Sequence, residues 1–268
     1  MKARVATALI ALPVVVAAVF FTHPLPLFLL ANIIFAVSAS EYLKLARVSD
    51  KRLLPSSIVL FAVLSLCWSL FRQGQADYII LIVASLLSCL SLFIKLKAGQ
   101  DLGKPPFIVM SEMFGWIGCP LIALLLLHGA DWKSTTWDFK NLTLMALVPL
   151  WCGDIAGIFV GMAFGKHKFA PSISPKKTVE GGIGNFVAAV VAAYFLGRAL
   201  GVSVGVSLSC GACIGLLGQI GDLFESWMKR RVDVKDSGTI LPGHGGILDR
   251  IDSMLFTAIP VALLLSIR

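Results

Sequence analysis

Apolar residues run through this chain in long blocks separated by short polar breaks. Nine such blocks lie at roughly residues 5–22, 26–43, 53–71, 77–94, 107–127, 141–164, 178–197, 202–226 and 248–267. Each is near the ~20 residues that a helix needs to cross the hydrocarbon of a bilayer. Lipid offers no partner to a free backbone N–H or C=O, so helix is the form such segments take. The pattern predicts an all-α integral membrane protein with about nine transmembrane helices. The first block is longer than a secretory signal core and runs directly into the second, so it reads as a retained anchor. No internal repeat, low-complexity tract or soluble domain interrupts the series.

Composition agrees: 57% of the 268 residues are hydrophobic and 14% charged, far from the balance of a soluble domain of this length. The formal net charge of +8 has a topological explanation. With the N-terminus cytoplasmic, all but Arg72, Lys133, Lys140, Arg198 and Arg268 of the 23 lysines and arginines fall on the inner side, as the positive-inside rule requires. The C-terminus is then outside. No basic groove with interleaved aromatics is visible, so nucleic acid is not an expected partner. Trp132 and Trp137 suit an interfacial aromatic belt. All six cysteines fall within apolar blocks and read as packing residues.

The chain divides by character. Residues 1–140 hold five helices with few internal charges and read as scaffold; Glu41 and Glu112 fit a helix-end position or contact with a cavity. Residues 141–268 hold four helices with cytoplasmic loops and most of the candidate chemistry, the two parts packing as one membrane unit.

The densest set of ionisable groups is Asp222–Asp252, DLFESWMKRRVDVKDSGTILPGHGGILDRID. Charge beside or within a bilayer is costly and usually functional. Asp222, Ser226 and Lys229 recur at helical spacing, with Glu225 as neighbour, and Asp249 and Asp252 are three apart. If both pieces are helical, their carboxylates can meet around Mg²⁺, which accepts one or two carboxylates and takes other oxygens from water and substrate phosphates. Lys229, Arg230, Arg231 and Lys235 can hold phosphate oxygens. Gly243, Gly245 and Gly246 flank His244 and allow close approach of backbone to an anion, just before a helix start.

Earlier in this half, Asp154 lies about eleven residues above the inner end of its block, a depth of roughly 16 Å in a straight helix. It suits a polar cavity or a bond to a neighbouring helix. Gly157, Gly161 and Gly165, then Gly201 and Gly205, then Gly211 and Gly215, recur at four-residue spacing and predict close helix packing. The basic loop GKHKFAPSISPKKTVEGG follows, in which Pro175, a hydroxyl and an acid read as a helix start.

Ser226, Lys229-Arg230, Lys235-Asp236, Pro242-Gly243-His244-Gly245-Gly246, Asp249-Arg250 and Asp252 resemble the signature of the phosphatidate cytidylyltransferase (CDP-diacylglycerol synthase) family. Ser174-Pro175-Lys176-Lys177-Thr178-Val179-Glu180-Gly181 is similar to a second motif of that family. The resemblance covers residues 153–252, with hydropathy alone matching before that. Val179 stands where members often have an aromatic, and Ile155 and Ile158 stand just after Asp154, where members often have a small hydroxyl-aromatic environment.

The resemblance implies transfer of the cytidylyl group of CTP to phosphatidate, giving CDP-diacylglycerol and pyrophosphate at the cytoplasmic face of a bacterial plasma membrane. It implies Asp222, Lys229, Arg230, Asp249 and Asp252 as catalytic, with Asp222, Asp249 and Asp252 as Mg²⁺ ligands and a second cation, monovalent among the options. Substrate contacts fall to Ser174, Lys176, Lys177, Thr178, Glu180, Ser226, Lys235, Asp236, His244, Gly245, Gly246 and Arg250. A homodimer is compatible with the small-residue helix faces. Two other readings stay open: a CTP-dependent lipid kinase, which releases CDP, and a cation- or proton-coupled transporter, which calls for inverted repeats and paired broken helices.

Overall fold

The computed structural model describes residues 13–21, 23–48, 50, 52–70, 75–99, 105–128, 141–240 and 245–267. Pro242, Gly243, His244, Trp132, Trp137 and most of the first apolar block lie outside the described residues, as do Arg72, Lys133, Lys140 and Arg268.

Helices follow the apolar blocks. Residues 13–20 are helical (α1), followed by α2 (Leu25–Leu45), α3 (Leu53–Leu70) and α4 (Gln75–Ala98). One long span then comprises α5 (Pro106–Met113), a π-helical turn (Phe114–Gly118) and α6 (Cys119–His128). The second half holds α7 (Thr143–Phe164), α8 (Val179–Leu200), α9 (Val204–Arg231) and α10 (Leu248–Ser266). Six of these segments are long and apolar enough to cross a membrane: Leu25–Leu45, Asp77–Ala98, Pro106–His128, Thr143–Phe164, Val179–Leu200 and Val204–Arg231. The chain is thus an all-α, multi-pass membrane protein. Helix α10 stands apart from the six because Asp249, Arg250 and Asp252 occupy its first turns.

Pro106–His128 is the centre of the bundle, 78% buried inside the protein. Trp116, Ile117, Leu121 and Ile122 on it are fully or almost fully covered. Trp116 meets Tyr42 edge-on at 6.0 Å and Phe224 at 5.7 Å, joining α2 to α9 through the core.

The second half is a series of close antiparallel contacts: α7 against α8, α8 against α9, α9 against α10. Glycines permit the approach. A Cβ at Gly157 would lie 3.1 Å from Asn185 Cβ, and one at Gly215 would lie 2.8 Å from the Phe186 ring. Gly201 and Gly205 depart from the expected packing stripe, since nothing lies within 4 Å of a Cβ at either. Gly201 instead ends α8 in the left-handed region, with φ 73°. Ser203 then opens α9 by accepting the Val206 N–H at 3.4 Å.

The expected helix start near Pro175 falls a few residues later. Lys168–Ala170 (β1) and Ser174–Thr178 (β2) form an antiparallel hairpin, and Thr178 caps α8 by accepting the Gly181 N–H at 3.2 Å. Helix α10 joins the halves, packing on α9 and α7 and also on α6, α4 and α2.

Candidate active site

The polar residues gather where α9 ends and α10 begins. Glu225 and Lys229 are one helical turn apart on α9 and form an ion pair. Lys229 also reaches across to α10, donating to Asp249 Oδ1 at 2.6 Å. Lys229 is 8% exposed and Glu225 fully covered, so both charges depend on each other and on Asp249. Asp249 takes two backbone donors besides: Ser237 N–H at 3.1 and 3.0 Å to its two oxygens, and Gly246 N–H to Oδ2 at 2.8 Å.

A second group lies beside the first. Asp222 pairs with Lys177 of β2, and Ser226 Oγ donates to Asp222 Oδ1 at 3.4 Å. Asp154 on α7 and Asp252 on α10 each lie within electrostatic reach of Asp222 and of Lys177. Asp154 Oδ1 also accepts from Asn185 Nδ2 at 3.1 Å, and the absence of a side chain at Gly153 leaves room for that amide. Helices α9 and α10 cross closely here: a Cβ at Gly221 would sit 2.7 Å from the Asp252 carbonyl oxygen. Lys177 is therefore a half-exposed cation among three aspartates drawn from three helices.

The remaining expected residues are distributed around these two groups. Arg230 is exposed and donates from Nε to the Ile173 carbonyl at 3.4 Å and from Nη1 to that of Val234 at 3.1 Å, tying the hairpin to the loop after α9. Lys176, Lys235, Asp236 and Arg250 are exposed, and Ser174 is half-buried in β2. Thr178 is buried and committed to its cap. Glu180 accepts the Lys166 N–H at 3.1 Å and the His167 N–H at 3.2 Å, and pairs with His167 Nδ1 at 2.6 Å, so its carboxylate holds the turn after α7.

Gly245 and Gly246 make a close approach of a different kind from the one expected. Gly245 has φ 81°, and a Cβ there would lie 2.7 Å from Asp249 Oδ2; one at Gly246 would lie 2.6 Å from Glu41 Oε2. The glycines thus let the loop backbone pass against the protein's own carboxylates.

Among the described residues, no three His, Cys, Asp or Glu side chains converge as a ready metal cage. The donor chemistry still fits Mg²⁺, which needs only one or two carboxylates beside substrate phosphate and water. Asp222 and Asp252, near neighbours on crossing helices, meet that requirement; Asp249 is engaged by Lys229, Ser237 and Gly246 in this arrangement.

Sequence spacing identified the Asp222–Lys229 helix face and the Asp249–Asp252 pair. Two participants were not assigned from it. Glu225 was visible as a neighbour, and its i,i+4 spacing to Lys229 was the available signal. Glu41 lies on an apolar helix far upstream, and no local pattern ties it to Leu248.

Comparison with known proteins fits this arrangement. The model of the family described as "Cytidylyltransferase family" matches residues 2–268. The chain is 33% identical over 261 residues to the phosphatidate cytidylyltransferase of Bacillus subtilis, covering 96% of this chain and 94% of that one. It is 31% identical over 260 residues to the enzyme of the same name from Staphylococcus haemolyticus, covering 96% and 95%. It is 35% identical over 235 residues to the one from Helicobacter pylori, covering 87% and 79%. With the family model matched from residue 2 to residue 268 and named relatives more than 30% identical along nearly their whole length, the chain belongs to the cytidylyltransferase family.

Proposed function

We propose that the chain transfers the cytidylyl group of CTP to phosphatidate, releasing pyrophosphate and leaving CDP-diacylglycerol in the membrane. The observation that carries this is the family match along the whole chain, with relatives named phosphatidate cytidylyltransferase over nearly their full length. The geometry supports it: cations and carboxylates from β2, α9 and α10 meet at one end of an apolar bundle, where a lipid headgroup and a nucleotide can come together.

In the reaction, a phosphatidate oxygen attacks the α-phosphorus of CTP. A phosphorus–oxygen bond forms there as the α–β bridge breaks, and the bridging oxygen leaves with pyrophosphate. Phosphatidate is already anionic near neutral pH, so a general base is not required. The barrier lies in bringing anions together and aligning them. Lys177 is placed to meet a phosphate, being half-exposed and held by a single ion pair to Asp222. Arg230 stands at the rim with its guanidinium oriented by two backbone carbonyls. Lys229 is too enclosed by Glu225 and Asp249 to meet substrate in this arrangement, and it acts by fixing Asp249 relative to α9. Asp222 and Asp252 are the carboxylates that would hold Mg²⁺, which would supply charge neutralisation and polarisation of phosphorus; Asp249, the third ligand the resemblance implies, would join them only on release from Lys229, Ser237 and Gly246.

The membrane arrangement we propose is nine crossings with a cytoplasmic N-terminus in a bacterial plasma membrane. In support, Tyr42, Lys95 and Glu112 meet one another, as do Lys177 and Asp222, and Arg230 and the Ile173 carbonyl. These contacts join the ends of α2 and α4 to α5, and α9 to the hairpin that precedes α8, on the side that carries most of the lysines and arginines.

The deciding experiment supplies purified protein in vesicles with phosphatidate, Mg²⁺ and CTP labelled in its α-phosphate. Label appearing in extracted lipid, with pyrophosphate released, is the expected result. Label remaining in water-soluble CDP, with the lipid gaining an unlabelled phosphate, would instead identify a kinase.

A further inference from the structure

Glu41 lies near the end of α2, in the half read as scaffold, and is fully buried. Burial of a carboxylate without donors is expensive, so what it touches matters. Its Oε2 accepts the Leu248 N–H at 2.8 Å and the Ser237 hydroxyl at 3.2 Å, and its Oε1 accepts the Ile247 N–H at 3.1 Å. The Ile247 and Leu248 N–H groups are the first backbone donors of α10, which has no cap of its own: the preceding residue, Ile247, makes no side-chain cap hydrogen bond. A residue some two hundred positions upstream therefore supplies the cap. Next to it, Asp249 accepts the Ser237 and Gly246 N–H groups, so two carboxylates share the two ends of the Ser237–Gly246 segment. The fit is tight from the loop side as well, because a side chain at Gly246 would collide with the Glu41 carboxylate.

We propose that Glu41 is a positioning residue of the transfer site, fixing the start of α10 and the end of the preceding loop so that Asp249 and Asp252 are presented in register with α9. The proposal rests on the reading that those aspartates serve cytidylyl transfer. Its physical basis is leverage: the Glu41 contacts are at the first turn of α10, Asp249 is one residue beyond Leu248, and Asp252 is one turn further. Loosening the cap lets that turn fray.

The test uses the full-length protein in vesicles and the variant Glu41→Gln, which keeps shape but turns one acceptor into an NH₂ group facing N–H donors. Amide hydrogen exchange at Gly246, Ile247 and Leu248 is expected to accelerate at least about tenfold. The kcat should fall about 10- to 100-fold while KM for CTP changes less than about threefold, as misalignment does. Glu112→Gln, an equally buried carboxylate elsewhere, should leave exchange at those three amides unchanged. If Glu41→Gln does not fold, Gly246→Ala disturbs the same contact from the loop side and should give the same pattern. Unaltered exchange at 246–248 would overturn the cap. Accelerated exchange with unaltered kcat would overturn the positioning role. Because exchange is read without substrate, a wild-type protein that transfers no cytidylyl group would refute the functional reading while leaving the cap independently measured.

Discussion

Among the described residues, a buried lysine meets carboxylates in each half of the molecule, and the two settings differ. In the first half Lys95 meets Glu112 Oε1 at 3.1 Å and Oε2 at 3.2 Å, while Tyr42 Oη and Ser91 Oγ donate to Oε2 and Oε1 at 2.8 and 2.6 Å. Each Glu112 oxygen thus meets two donors, and the carboxylate is fully covered. In the second half Lys229 divides its charge between Glu225 and Asp249, a few residues from exposed Arg230, Lys235 and Asp236. The residue types match; what differs is saturation and access. The closed Glu112 network holds helices together, whereas the Lys229 network borders the half-exposed Lys177–Asp222 pair, which solvent reaches.

Substitutions in the two networks and beside them should differ in their effect on turnover. Lys229→Met leaves Glu225 and Asp249 without their shared cation; transfer should disappear, and stability should fall by about 3–5 kcal/mol, the usual result of stripping one member from a buried pair. Thermal unfolding and label transfer on the same preparation check both. Gly215→Ala pushes a methyl into the Phe186 ring at 2.8 Å, separating α8 from α9. A loss of about 1–3 kcal/mol is expected, with a smaller fall in turnover because Asp222 lies two turns along the same helix. Glu112→Gln should lower stability by up to about 3 kcal/mol yet hold kcat per folded molecule within about threefold of wild type. Gly205→Ala, with open space around its new methyl, should be neutral or stabilise by up to about 1 kcal/mol.

The same contrast shows what a sequence reveals. The all-α, multi-pass character and the placement of six spans were legible because lipid imposes one period and one length, and the apolar blocks carry both. Within the site, Asp222, Ser226 and Lys229 were legible because the helix repeat puts them on neighbouring faces. The resemblance implies Thr178 and Glu180 as substrate contacts; in the structure their side chains accept from the Gly181, Lys166 and His167 N–H groups, local partners that the motif alone did not show. The Gly205 stripe failed for a similar reason: four-residue spacing is necessary for close packing but does not say which face meets a neighbour. Lys177–Asp222 and Glu41–Leu248 were not legible, since each joins segments far apart in the chain and depends on how helices cross.

If chemistry resides where β2, α9 and α10 meet, Asp222→Asn should all but stop it. The substitution removes a charge that is partly exposed while keeping size and the helix. Protein reconstituted with phosphatidate, Mg²⁺ and labelled CTP should melt as the wild type does and transfer label to lipid at least about 100-fold more slowly, the scale lost when an electrostatic contact to a reacting phosphate goes. A folded Asp222→Asn protein that labels lipid at a rate comparable to wild type would contradict the account.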